Sequence, residues 1–264
     1  MARTLTGNSP RREQRVQEIM LDRLVLRYRG RIMSEIRRTM RRAASNISAG
    51  RAMAVESVMG EHRERMSQIL TRLWTDSGHT MAEHIDPSQK ANGPHETKQT
   101  IEEAEDFTIT PTAIADRIMS DWMRSEGGLK ITRITATTRA NIQSVIASGL
   151  RDGLSEKDIA ANIRAIAPGI AGSRADTISR TETHAAANIS ADATAKATGV
   201  PFKRQWAASK GDRTRDAHRR ADGQKVGMNE PFNVDHEDLR YPGDPRGRPG
   251  NVINCRCAVL YVVD

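Results

Sequence analysis

Apolar residues recur every four positions along the first part of the chain. The first stripe consists of Val16, Met20, Leu24, Tyr28, Ile32, Ile36 and Met40. This spacing predicts a long amphipathic helix. The segment SNISAG (45–50) interrupts the pattern, and a second stripe then runs from Val55 to Trp74. We therefore predict two long helices, arranged as a hairpin.

The middle of the chain begins with a segment that has no apolar period. Residues 86–106 contain Pro, Gly and a run of acidic residues, so we predict a linker or an exposed loop there. Thr110 followed by Pro111 is a typical helix start, with Thr as the cap and Pro in the first turn. A further helix is predicted at about 135–149.

Two more helices are predicted before residue 200. Ser155 and Asp158 have the spacing of a capping box for a short helix that ends before Pro168. An Ala-rich helix is then predicted from Ser173 to Gly199. Glu182 falls on the apolar stripe of that helix, and a buried carboxylate needs a partner. We expect an ion pair or a capping contact to the next module, with a functional site residue as the alternative.

The last 65 positions contain five of the ten Pro and six of the 19 Gly, and the helical period is lost. Short strands are predicted at 202–208, 231–234 and 258–263, with one short helix among them. The predicted fold class is therefore α+β, mainly α-helical, with a long N-terminal helical arm and a small C-terminal module that contains β-strands. The predicted domains are an Arg-rich helical arm (1–85), a linker or exposed loop (86–106), a helical middle region (107–172) and a C-terminal domain (173–264).

Positive charge is concentrated at the N-terminus. The net charge is +8, and residues 1–72 alone contain 16 Arg, no Lys and 7 acidic residues, a balance of +9. Guanidinium groups bind phosphate or carboxylate bidentately, so this arm is a candidate surface for DNA or a protein partner. A solvated helix face without a specific role is the alternative. The candidate contact residues are Arg11, Arg12, Arg37, Arg38, Arg41 and Arg42.

The hydropathy of the chain bears on whether it is expected to enter a membrane or to be secreted. Mean hydropathy is -0.61 and no apolar run approaches the ~20 residues of a bilayer span, so we expect no transmembrane helix and no membrane partner. The first 15 residues lack the apolar stretch of a secretory signal peptide, so synthesis is expected to end in the cytoplasm.

The two cysteines are the sharpest chemical signal in the sequence. Two Cys in 264 residues cannot form a disulfide framework. On an extended strand, Cys255 and Cys257 would point to the same side and could supply half of a tetrahedral zinc site. His218 is the first choice for a third ligand. The candidates for a fourth are His236, Asp212, Asp216 and Asp222. Two packed free thiols, or a redox-labile pair, fit the spacing equally well.

Several segments between Arg180 and Cys257 resemble one family in both sequence and order. They are RTETHAAAN, GVPFKRQWAASKGDRTRDAHRRADGQKV, EPF, LRYPGDP and NCRC. Together they resemble the C-terminal domain of phage Mu F-like minor head proteins, the head morphogenesis family that includes the SPP1-type minor head protein. The residues that match the family motif are Arg180, Thr181, Glu182, Asp212, Arg213, Thr214, Arg215, His218, Asp222, Gly223, Asn254, Cys255, Arg256 and Cys257. Those expected to have a structural role are Arg180, Thr181, Glu182, Arg213, Arg215, Asp222 and Asn254.

The resemblance implies a minor capsid component of a tailed phage or prophage. Such a protein is expected in few copies in the virion, in the procapsid interior or near the portal vertex, and in the host cytoplasm during assembly. Its expected partners are the portal protein and the scaffold or major capsid protein, with DNA as a further candidate. Neither enzymatic activity nor a small-molecule substrate is expected, and zinc is the one candidate cofactor.

Two other function classes remain open. One is a DNA-binding protein that acts through the Arg-rich arm. The other is a metal-dependent nuclease or other hydrolase that uses His218, His236, Asp212 and the Cys pair. The sequence contains no P-loop, no GxGxxG and no recognisable Ser-His-Asp arrangement. We therefore favour the structural head protein.

Overall fold

The computed structural model describes residues 3–85 and 110–263, which are mainly helical. The long helices are α1 (Pro10–Ser48), α2 (Val55–Ile85), α3 (Pro111–Trp122), α4 (Gly128–Arg151) and α5 (Glu156–Ala197). A π-helical segment, Met123–Gly127, joins α3 to α4. The strands are β1 (Arg3–Thr4), β2 (Lys203–Ala207), β3 (Lys225–Val226), β4 (Phe232–Val234), β5 (Glu237–Leu239) and β6 (Ala258–Val263), with the short helices α6 (Asp216–Ala221) and α7 (Pro249–Val252) among them. The predicted fold class, mainly helical with a small C-terminal β-containing module, is confirmed.

The two N-terminal helices follow the apolar pattern. The chain turns between Ser48 and Val55, where the sequence predicted a break, and Gly50 there has a φ of 71°. Most of the first stripe is buried, with Ile32, Ile36 and Met40 all 0% exposed. Because the fold itself covers these side chains, the stripe is not a free apolar face of an isolated arm.

Helix α5 differs from the prediction of two separate helices. It runs without a break from Glu156 to Ala197 and contains Pro168. Proline removes the hydrogen bond to the carbonyl four residues earlier, that of Arg164. Both residues are exposed, so water can solvate that carbonyl, while the neighbouring Ala167 and Ala171 are buried at 3% and 0% exposure. The prediction that a helix ends before Pro168 is therefore wrong.

The predicted ends of α5 are confirmed. The Oγ of Ser155 accepts a hydrogen bond from the Asp158 N–H (3.3 Å) and donates one to the Asp158 carboxylate (2.6 Å). At the other end, Gly199 has a φ of 67°, the left-handed conformation that glycine adopts after helices.

The main sheet joins the two ends of the chain. Its strand order is β1-β6-β2-β3, and every pair is antiparallel. Strand β6 lies at the centre, with Thr4 opposite Val262 on one side and Trp206 opposite Val259 on the other. Strands β4 and β5 form a separate two-stranded sheet. We call residues 203–263, from β2 to β6, the β-module.

A polar cluster fixes the start of α1. Glu13, 1% exposed, accepts hydrogen bonds from Asn8 (2.8 Å) and Gln17 (2.8 Å) and also from Thr6. Its carboxylate lies 2.6 Å from Nε2 of His84, near the end of α2. Burial raises the pKa of Glu13. The hydrogen bond and the charge of His84, together with the hydrogen bonds from Asn8 and Thr6, outweigh this effect and lower the pKa to about 2.

The described residues divide into two compact units. One combines Met1–Asp22, Trp74–Asp121 and Thr183–Asp264, and the other combines Arg23–Leu73 and Trp122–Glu182. These boundaries differ from the predicted domains because distant segments pair within the first unit. Besides the β1–β6 pairing, Ser190 Oγ donates to the Gly78 carbonyl at 2.8 Å. The linker predicted at 86–106 lies outside the described residues.

Within residues 3–85 and 110–263, no helix combines the length and the apolar character needed to cross a bilayer.

Candidate functional site

Helix α6 places His218 inside the β-module. The turn before the helix is held by the Thr214 hydroxyl, which donates to the Ser209 carbonyl at 2.7 Å. His218 is 2% exposed, and its ring packs edge-on against Trp206 of β2 with 5.6 Å between ring centroids. Its Nε2 is buried without a hydrogen-bond partner among the described residues. The imidazole is therefore held rigidly, with Nδ1 facing the C-terminal segment.

The two cysteines lie between α7 and β6. The sequence pattern predicted them on the final strand, but that strand begins only at Ala258, so this placement is wrong. Asn254 has a φ of 61° and redirects the chain after α7. Cys255 and Cys257 are 3% and 1% exposed, whereas Arg256 between them is exposed. The expected alternation, with both thiols on one side, is present without a strand.

The three side chains meet in one buried cluster. His218 Nδ1 lies 3.4 Å from Cys257 Sγ and 3.6 Å from Cys255 Sγ. One ligand atom from each of these residues lies within 4.8 Å of the other two. Imidazole nitrogen and two sulfurs form a ligand set that zinc prefers.

The cluster favours one thiolate. A hydrogen bond from Cys255, and next one from His218, lower the pKa of the Cys257 thiol to about 5 despite its burial. The hydrogen bond to Cys257, together with burial, raises the pKa of Cys255 well above its ordinary value. The thiolate is the form of cysteine that binds metals.

The other predicted metal ligands lie elsewhere. Asp212, Asp216 and His236 are exposed, and the group of ligand atoms around His218 does not include them. Asp222 instead accepts a hydrogen bond from the Ala208 N–H (2.8 Å) and pairs with Lys210. Asp212 was predicted as a ligand because it is close to His218 in sequence, but the turn before α6 directs it to solvent.

Two other motif residues support the cluster through the backbone. Arg215 donates to the Ile253 carbonyl at 2.5 Å, which fixes the chain just before the cysteines. Asn188 of α5 donates to the carbonyls of Pro242 (3.0 Å) and Cys257 (3.3 Å). The prediction missed Asn188, although it is the last residue of the RTETHAAAN segment. Arg213 is exposed.

The Arg180-Thr181-Glu182 motif lies in the middle of α5. Glu182 is 5% exposed, as predicted, and Lys130 Nζ lies 3.1 Å from both carboxylate oxygens. This ion pair, one of the two expected alternatives, joins α5 to α4. The sequence did not identify Lys130 as the partner of Glu182, because the chain contains many Lys and Arg residues.

Two buried charges in the β-module could not be recognised from the sequence. Arg204 of β2 is 1% exposed and binds Asp192 of α5 at 3.0 Å, and it also donates to the carbonyls of Arg240 (2.8 Å) and Glu230. Asp244 is 0% exposed and pairs with Arg240 (3.1 Å) and Arg246 (2.9 Å). The sequence around Asp244, PGDPRGRP, suggested only a turn.

The arginines of the predicted arm have different environments. Arg42 is paired with Glu61, whereas Arg11, Arg12 and Arg38 are exposed. Arg37 and Arg41 line a cavity of about 450 Å³ together with Arg164 of α5. Arg37 Nε is buried and has no hydrogen-bond partner among the described residues. The described lining is completed by Ser45, Ala167 and Pro168 and contains no carboxylate.

Comparison with known proteins finds relatives that match part of the chain. Minor head protein GP7 of Bacillus phage SPP1 is 32% identical over 127 residues, which cover 47% of this chain and 41% of that protein. The uncharacterized protein YqbB of Bacillus subtilis (strain 168) is 24% identical over 177 residues, 63% of this chain and 58% of that protein. The chain thus spans about half the length of the curated relatives it matches. No solved structure matches the chain.

The region matched by a family model contains the whole candidate cluster. Residues 140–260 match the model described as Phage Mu protein F like protein. This range includes α5, α6 and both cysteines. The resemblance predicted from the sequence motifs is therefore confirmed, and residues 140–260 are similar to Phage Mu F-like proteins.

Proposed function

We propose that this chain is a minor head protein of a tailed phage or prophage, located inside the head or at the portal vertex. The observation that carries the proposal is the Mu F-like match over residues 140–260, together with the relative that is named a minor head protein. The portal protein and the scaffold or major capsid protein are the partners this role requires. A structural role of this kind needs no catalytic centre.

Mass spectrometry of purified heads tests this role. Particles produced by the phage or induced prophage that encodes the chain should contain it at a copy number far below that of the major capsid protein. Procapsids purified before DNA packaging should contain it as well. Absence from both particles, with the chain present in the lysate, would contradict the proposal.

We further propose that the arginine-lined cavity contacts the DNA backbone inside the head. Arg37, Arg41 and Arg164 bring three guanidinium groups to one concave surface. Their side chains can bind phosphate oxygens bidentately. Because the described lining lacks a carboxylate, nothing in it competes with a phosphate for these groups.

Salt-dependent DNA binding tests this interaction. In fluorescence anisotropy with a duplex, the R37Q/R41Q/R164Q variant should bind more weakly, and its slope of log K against log salt should be shallower by about 0.9 for each phosphate that the variant no longer binds. The control R23Q/R63Q/R151Q removes the same charge from exposed positions outside the cavity. Equally weakened binding in both variants would contradict a specific role for the cavity.

The hydrolase alternative receives little support from the geometry. It required His218, His236, Asp212 and the Cys pair to act on one metal, but His236 and Asp212 are exposed while the other three are buried. A substrate would have to reach ligand residues that are 1–3% exposed. We therefore assign the cluster no catalytic role.

A further inference from the structure

The geometry of the His218–Cys255–Cys257 cluster fits a bound metal ion. Tetrahedral zinc with bonds of about 2.3 Å to sulfur and about 2.0–2.1 Å to nitrogen places N and S ligand atoms about 3.6 Å apart. The two nitrogen–sulfur distances here are 3.4 and 3.6 Å. The cluster can therefore accept an ion without moving the imidazole away from either sulfur.

Hydrogen bonding alone explains the arrangement less well. Nδ1 of a histidine carries at most one hydrogen, so it can donate to only one of the two sulfurs at a time. The nearly equal distances place it between both. A single ion that contacts all three atoms accounts for this position.

We propose that His218 Nδ1 and the sulfurs of Cys255 and Cys257 bind one zinc ion in a structural site. The ion would tie α6 to the segment between α7 and β6. Within the described part of the chain, the cluster of mutually close ligand atoms comprises these three residues. This inference does not depend on the proposed role in a phage head.

The surroundings indicate a structural rather than a catalytic ion. All three ligands are at most 3% exposed, and Trp206, 0% exposed, packs against the imidazole. The β-module is built from short strands, so a cross-link between α6 and the segment that precedes β6 adds a constraint that its small core lacks. Loss of the ion should therefore lower stability.

Metal analysis of the full-length chain tests the site directly. Protein produced without a His-tag, in medium that contains zinc, should carry about one zinc per chain. Removal of the metal by a chelator should lower the Tm by about 5 °C, and added zinc should restore it. Cobalt added to the apo protein should give the visible absorption of a tetrahedral site and a sulfur-to-cobalt charge-transfer band. Less than about 0.2 zinc per chain, together with no cobalt spectrum, would overturn the proposal.

Variants separate metal binding from simple packing. C257S and H218A should each lose zinc, whereas H236N should retain about one zinc per chain. Asn is chosen for this control because position 236 has a φ of 63°, which Asn tolerates better than Ala. If C257S or H218A does not fold, the cobalt titration of the wild-type apo protein decides the question. Full zinc content in folded C257S would also overturn the assignment.

Discussion

The Glu13 cluster allows a quantitative prediction about stability. The E13Q variant keeps the shape of the side chain but removes its charge. It also replaces one of the two acceptor oxygens with an NH2 group, which then faces either Thr6 and Asn8 or Gln17. In the folded chain the pKa of Glu13 is lowered from 4.5 to about 2. At 1.36 kcal/mol per pKa unit, this shift corresponds to about 3 kcal/mol of stability at neutral pH.

The pH dependence of this effect has a defined sign. A carboxylate whose pKa is lowered by folding stabilises the folded state above its unfolded pKa, and this contribution is lost as the pH falls through the folded value. The difference between wild type and E13Q should therefore be about 3 kcal/mol at pH 7. It should shrink as the pH falls below 4.5 and approach zero near pH 2.

Urea unfolding followed by circular dichroism at several pH values measures this difference. D22N is the control, because it removes one negative charge from an exposed position on the same helix. D22N should stay within about 0.5 kcal/mol of wild type. A difference for E13Q below about 1 kcal/mol at pH 7, or one that is equally large at pH 7 and pH 3, would refute the reasoning.

Three further predictions concern packing and buried charge. E182A should destabilise the chain by about 3 kcal/mol in thermal or urea unfolding, because it leaves the largely buried Lys130 without its carboxylate, and the double variant K130M/E182L should recover most of that loss. Burial raises the pKa of Asp244, but hydrogen bonds from Arg246 and Arg240 lower it to about 2. D244N should therefore lose about 2 kcal/mol of stability at pH 7, and this loss should vanish as the pH falls from 3.8 to about 2. The exposed control D238N should change stability little. G149A should destabilise by about 1–3 kcal/mol because its Cβ would overlap Cγ1 of Ile159, whereas G30A, with nothing within 4 Å of its Cβ, should stabilise α1 by about 0.5–1 kcal/mol.

Much of the helical fold could be predicted because apolar spacing reports it directly. The four-residue stripes predicted α1 and α2 and the break between them, and the Thr110-Pro111 signal predicted the start of α3. Strand β1 could not be predicted in this way. It has two residues, Arg3 and Thr4, and no pattern, and it exists because β6 offers its free edge.

The prediction at Pro168 was wrong because the rule used was local. Proline usually ends a helix, but the cost depends on whether water can reach the carbonyl that loses its partner. The exposed side of α5 at Arg164 and Pro168 is known only once the buried side, Ala167 and Ala171, has been packed. Tertiary structure therefore decided the length of the longest helix.

The sequence predicted the main residues of the candidate site but also assigned to it residues that lie elsewhere. Residue type and spacing selected His218, Cys255 and Cys257, because thiols and imidazole are rare enough in this chain to stand out. Carboxylates are common, so proximity in sequence was a poor guide to Asp212. Arg204 and Asp244 were missed for a related reason: burial of a charged residue cannot be read from a polar segment.

The motif residues of the region that matches the Mu F-like model bind mainly to the backbone. Asn188 and Arg215 donate to backbone carbonyls, and Asp222 accepts from a backbone N–H. Arg204, in the matched segment around β2, likewise binds carbonyls of two loops. Asn188 and Arg204 thus hold the β-module to α5, while Arg215 and Asp222 fix turns within the β-module.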